Sequence, residues 1–141
     1  MKISKKGLYA LEAMIRLARS YPQPMKISKI AAAEDIPQKF LELILLNLKA
    51  ARFVGSLRGA QGGYLLRRPP QKVFLGEIIR AIDGPLAPIA DSESLRRLVK
   101  ADKKHGALYQ VFLDVRNATA GILDHTSLAQ LAGRSHASSR S

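Results

Sequence analysis

A mainly α-helical fold with one small β wing is the class this sequence predicts, on three observations. A short helical run and a tight turn precede an apolar helix that begins at Pro37. A glycine-rich hairpin tip, Arg58-Gly59-Ala60-Gln61-Gly62-Gly63-Tyr64, follows that helix within a few residues, and apolar residues recur at three and four along a long helix near the C-terminus. Together these describe a winged helix-turn-helix unit followed by a long helix.

The elements follow in order. Ser4 is placed to cap a first helix whose apolar residues Leu8, Leu11, Ile15 and Ala18 share a stripe, ended by Pro22 and Pro24. After the extended piece Met25-Lys26-Ile27, Ser28 is read as the cap of a brief helix through Ala33, with Ile30 and Ala31 inward. Glu34-Asp35-Ile36 forms the turn. Pro37 suits the first position of the next helix, where Phe40, Leu41, Ile44, Leu45 and Leu48 form the buried stripe. Gln38, Lys39, Glu42 and Asn47 occupy the opposite face.

Phe53 to Leu57 and Tyr64 to Arg67 read as the two arms of the wing, with Phe53 and Leu57 inward. Glycine hairpins most often only reverse the chain, but bare positions at Gly62 and Gly63 also admit close approach of another backbone or a phosphate. Pro69-Pro70 closes the unit. Leu75 to Ile82 is a helix stopped by Asp83-Gly84-Pro85. The organisation expected is a DNA-binding domain over 1–84, a mobile or variable linker over 85–106, a long helix and C-terminal ending over 107–132, and a disordered tail over 133–141.

Composition narrows the function. The 141 residues carry a formal charge of +12 with 47% hydrophobic residues, so the chain has enough apolar content for one core and far more positive charge than solubility needs. A polyanion is the expected partner, and the helix-turn-helix pattern makes it double-stranded DNA. No apolar run approaches the ~20 residues of a membrane span and the N-terminus lacks a signal-peptide pattern, so a cytoplasmic location and no membrane partner are expected. No Gly-Lys-Ser/Thr follows the glycines, and no nucleophile with a nearby base stands out, which argues against an enzyme.

The stripe Leu108, Val111, Phe112, Val115, Ala118, Thr119 and Ile122 needs a partner. A second copy of the chain is the simplest one, with Leu108, Val111, Phe112, Val115, Thr119 and Ile122 as the dimer contact. The alternative is packing beside the first helix of the same chain.

The stretches Met1 to Ser4 with Gly7-Leu8-Tyr9-Ala10-Leu11, Ile36 to Leu48, Arg58 to Tyr64, Pro69-Pro70, Gly76 to Gly84 and Thr126 to Leu131 resemble, in this order, the Rrf family of bacterial winged helix-turn-helix transcription regulators. The resemblance covers nearly the whole chain and is weakest from Asp91 to Gly106. It implies a homodimer joined by crossed long helices that binds a partly palindromic promoter element; the regulator is expected to act as a repressor, although the sign of regulation is not written in the sequence. It also implies that Pro37, Gln38, Lys39, Phe40 and Glu42 belong to the recognition helix. The wing would then run through Arg58, Gly59, Gln61, Gly62, Gly63 and Tyr64. Leu43 stands where many members have glutamine, and is left between contact with a thymine methyl and packing in the core.

Several members hold an iron–sulfur cluster with three cysteines and one oxygen or nitrogen ligand. Here the aligned positions are Asp91 and Gly106, with Tyr109 where one member has histidine and Leu8 where an acidic fourth ligand can stand. The chain has no cysteine, so no cluster, metal or other cofactor is expected. Asp91, His105 and His125 read as solvated side chains, and His136 falls in the tail. In the expected mechanism, lysines and arginines neutralise phosphates, Gln38, Lys39 and Glu42 reach base edges, and Arg58 enters or flanks the minor groove. Ser28 and neighbouring N–H groups would hold a phosphate. A small molecule or a protein could serve as effector. The rival reading is a basic module that docks an acidic protein or RNA, or a general nucleic-acid binder.

Overall fold

The computed structural model describes residues 2–133. Helix α1 (Lys5–Ser20) starts where the Ser4 hydroxyl accepts the Gly7 N–H at 2.9 Å. Asp83, the last residue of α4 (Leu75–Asp83), accepts the Ser4 N–H at 2.9 Å and the Ser4 hydroxyl, so one serine both caps α1 and fastens it to α4. The buried face of α1 includes Gly7, Ala10, Leu11, Met14, Leu17 and Ala18. This corrects the predicted stripe: Leu8 is 49% exposed, while its neighbour Gly7 lies on the buried side, where the Asp83 carboxylate packs close against it.

Helices α2 (Ile27–Glu34) and α3 (Gln38–Ala50) form the helix-turn-helix, joined through Asp35 in a left-handed conformation (φ 55°). Arg16 donates from Nε to Glu34 at 2.6 Å and ties α1 to α2. Two helix starts differ from expectation. Ser28 lies inside the first turn of α2 and caps nothing; Lys26 is the N-cap residue. The cause is an antiparallel bridge in which Met25 and Tyr64 exchange N–H···O bonds of 2.8 and 2.9 Å, holding the chain extended up to Lys26. Pro37 is the N-cap of α3, one residue before its expected place.

The core stripe of α3 is as predicted, with Leu41, Ile44, Leu45 and Leu48 buried. Strands β1 (Val54–Leu57) and β2 (Gly63–Leu66) pair antiparallel, Val54 opposite Leu66 and Leu57 opposite Gly63. Phe53, Val54 and Leu66 are buried at the base of the hairpin, whereas Leu57, expected inward, is 54% exposed. Its cross-strand neighbour is Gly63, which offers no side chain to pack against.

Helix α5 (Ser92–Ala101) occupies much of the span expected as a linker. Asp91 caps it by accepting the Ser94 N–H at 2.7 Å, and Leu95 is fully buried where α5 packs on α6 (Gly106–Leu123). Leu95, Leu98 and Val99 are a sufficient apolar stripe for so short a helix, despite the charges between them. Helix α7 (Leu128–Ala132), closed by reciprocal bonds between Ser127 and Gln130, returns to pack on α1. The tail expected over 133–141, with His136 in it, lies outside the described residues beyond Gly133.

Candidate nucleic-acid interface

Burial of one α3 face dictates what the other presents. Gln38, Lys39, Glu42, Leu43, Leu46 and Asn47 are all exposed, and Pro37 is exposed at the helix entrance. Leu43 is therefore not a core residue: it is 61% exposed. Phe40 goes the other way. It is half-buried, edge-on to Tyr9 with ring centroids 5.4 Å apart, so its ring supports the helix from beneath. Leu46, 56% exposed, went unnoticed in the sequence, although it sits outside the buried period of α3.

At the wing, Arg58, Gly59, Ala60 and Gln61 are exposed in a turn closed by the Gly62 N–H on the Gly59 carbonyl at 3.0 Å. The bareness of Gly62 and Gly63 serves the chain itself. A Cβ on Gly62 would strike the Leu57 carbonyl, and one on Gly63 (φ 145°) would meet the Met25 backbone. Tyr64 holds the wing to the base of α2 through the Met25 bridge, so its backbone has a structural task.

These segments converge. Lys26, Ile27 and Ser28 from the start of α2, Gln38 from the start of α3, and Gly59, Gly62, Gly63 and Tyr64 from the wing line one open cleft of about 310 Å³. No side chain caps α2, whose start lies beside the exposed Ser28 hydroxyl. Lys49 donates to the Ser56 hydroxyl at 2.7 Å and braces α3 against β1, and Arg52 is exposed at the end of α3. The site thus combines a protruding hairpin, two helix starts and exposed cations.

The residues aligned with cluster ligands do other work. Asp91 caps α5, and its hydrogen bonds from Ser94 hold its carboxyl below the usual aspartate range. Gly106 opens α6 where a Cβ would strike the Val99 carbonyl, and Tyr109 packs edge-on with Phe112 at 6.5 Å. His105 approaches Asp102 at 3.7 Å, and His125 lies 3.0 Å from the Gly121 carbonyl. Among the described residues no three His, Asp or Glu side chains converge as metal ligands, and the sequence holds no thiolate donor, so these residues do not fit an iron–sulfur cluster. Asp91 and Ser92 instead line a cleft of about 380 Å³ with Arg80, Leu86 and Arg116.

The long helix α6 buries Leu113 and Ala120 against its own chain. Leu108, Val111, Val115 and Ile122 are 49%, 54%, 44% and 68% exposed, while Phe112 and Thr119 flank them half-buried. No helix among the described residues is long and apolar enough to cross a membrane.

The Rrf2 family model, described as an iron-dependent transcriptional regulator, matches residues 3–134. CymR of Bacillus subtilis, an HTH-type transcriptional regulator, is 35% identical over 136 residues, spanning 94% of this chain and 90% of CymR. The solved structure of that protein, described as the global cysteine regulator of B. subtilis, aligns with a TM-score of 0.80 at 33% identity over 94% of this chain and 97% of its own. IscR of T. potens aligns with a TM-score of 0.76 at 29% identity, covering 94% and 87% of the two chains. A helix-turn-helix with a protruding wing, matched along nearly its whole length by such proteins, is no enzyme: the chain belongs to the Rrf2 family of DNA-binding transcriptional regulators.

Proposed function

We propose that the chain acts as a homodimeric repressor on a partly palindromic promoter element, without an iron–sulfur cluster. The observation that carries this reading is the row of exposed apolar residues Leu108, Val111, Val115 and Ile122 on α6. Left in water, that row is a standing cost; against a second copy it becomes an isologous interface. Two-fold symmetry would present two α3 helices to half-sites about one turn apart, ~34–36 Å.

On each half-site, Gln38, Lys39 and Glu42 meet base edges in the major groove. Arg58 and the wing reach the adjacent minor groove. Ser28 and the uncapped start of α2 hold a phosphate at the cleft they share with the wing. The cleft between α4, α5 and α6, with Arg116 half-exposed at its wall, is the position for a small effector. A cytoplasmic location accompanies such a partner.

The test joins mass and binding. Sedimentation equilibrium is expected to give twice the chain mass, and a gel shift on the fragment upstream of the chain's own coding region is expected to exceed that on random duplex at moderate salt. A single-copy species would overturn the dimer; equal binding to both duplexes would favour a general nucleic-acid binder.

A further inference from the structure

The outward face of α3 is not uniformly polar. Leu43 and Leu46 are 61% and 56% exposed, although α3 already buries Leu41, Ile44, Leu45 and Leu48. Helical spacing sets Lys39, Leu43 and Leu46 on one line, with Glu42 and Asn47 at its borders. The two leucines therefore continue the strip that carries the polar reading residues. No residue of the helix-turn-helix or wing covers them, since both remain more than half exposed.

What covers them is constrained by charge. Lys39 lies on the same line, and Lys49, Arg52 and Arg58 are exposed at the far end of α3 and on the wing, in a chain of net charge +12. A polyanion fits that surround. The apolar group that a duplex offers in its major groove is the C5-methyl of thymine. Leu43 and Leu46 are separated by about 4.5 Å of helical rise, close to the ~3.4 Å between successive bases, so the pair can meet methyls on neighbouring steps.

The geometry points to Leu43 and Leu46 as an apolar ridge that reads thymine methyl groups, so that half-site choice depends on methyl burial as well as on hydrogen bonds. This rests on the reading of α3 as the recognition helix. It replaces hydrogen-bond readout at position 43 with shape and desolvation, which favour thymine through its C5-methyl group.

The test isolates that methyl. Duplexes selected by the full-length protein from a random pool are resynthesised with deoxyuridine for thymidine, which leaves pairing and phosphates unchanged, and titrated by fluorescence anisotropy at fixed salt. The selected half-site is expected to carry thymine at one or two positions. Removing each methyl that is read is expected to weaken binding about fourfold, the worth of one buried methylene. Leu43→Ala and Leu46→Ala are each expected to shrink the deoxyuridine penalty while leaving the salt slope and the sedimentation mass unchanged. Both side chains are exposed, so these variants fold, and a circular dichroism melt checks that they do. Equal affinity of the native protein for thymidine and deoxyuridine duplexes would overturn the proposal, with the DNA reading intact. So would leucine variants that lose affinity for both duplexes in the same proportion, or whose mass changes. Failure to enrich any sequence would remove the recognition-helix reading, and this proposal with it.

Discussion

Glu42 is an exposed carboxylate on the face of α3 proposed to read base edges. Phosphates repel it, so it lowers affinity wherever it does not accept from a cytosine amino group or orient a neighbouring cation. Glu42→Ala is expected to keep or raise total affinity while narrowing the gap between matched and scrambled duplexes in gel-shift titrations; a uniform loss on all duplexes would contradict it. Arg58 behaves oppositely. In the proposed complex the exposed wing tip meets backbone charge, so Arg58→Ala is expected to weaken binding to every duplex about tenfold and to reduce the log–log salt slope by about one. At this scale the sequence left Leu43 between core and solvent, and Phe40 in both the buried stripe and the reading set. Burial decided both, because which side of a helix faces the core depends on the neighbours that form it. The contact of Phe40 with Tyr9, on another helix, has no local signature.

The wing is an element whose form rests on absent side chains. Gly63 combines φ 145° with the Met25 backbone where a Cβ would stand, so Gly63→Val is expected to destabilise the fold by about 1–3 kcal/mol, read as a lowered thermal midpoint. Gly59→Ala, with φ 96° and nothing within 4 Å, meets strain but no collision, and is expected to cost less in the same melt. In α6, Val111→Asp with Val115→Asp puts two charges into the proposed dimer face. Sedimentation is expected to report single chains, with promoter affinity down more than tenfold; an unchanged dimer would place the interface elsewhere. The apolar period of α6 was legible because it is long and regular. Helix α5 was not, since charges outnumber its three large apolar residues and Leu95 is buried where α5 packs on the distant surface of α6.

On the scale of the whole molecule, the C-terminal helices are fastened back onto the DNA-binding unit. Arg80 on α4 donates two bonds, of 2.8 and 2.6 Å, to Asp124 at the end of α6. Phe74 bridges Ser127, and the Leu128 N–H bonds the Val73 carbonyl at 2.9 Å. Hydrogen bonds from Arg80, opposed by burial and aided by its charge, hold the Asp124 carboxyl below the usual aspartate range. A depressed pKa means stability that is fully present above the unfolded-state value and lost as pH falls through the folded-state value. Asp124→Asn is therefore expected to lower stability near neutral pH by about 1 kcal/mol, a figure discounted for side chains 34% and 32% exposed. The difference from the native protein is expected to shrink through the acidic range and vanish below the depressed value, as thermal melts across pH would show. Glu12 carries the opposite sign. Burial, reinforced by Glu34, raises its carboxyl, so Glu12→Gln is expected to stabilise at neutral pH, with the gain fading as pH falls.

Periodicity, punctuation by proline and glycine, charge and the lack of cysteine were enough by themselves to establish the helix-turn-helix, the wing, the long helix α6 and the loss of thiolate ligands. These are properties of neighbouring residues or of plain counts, and local geometry expresses them whatever the rest of the chain does. Tertiary structure alone decided that Ser28 caps nothing, that Leu57 and Leu8 face water, that Gly62 and Gly63 make room for backbone, and that Leu43 and Leu46 stay exposed on the outer face of α3. Each of those outcomes is set by a contact across distant parts of the chain, such as Met25 with Tyr64 or Ser4 with Asp83, and burial exists only once such partners have met.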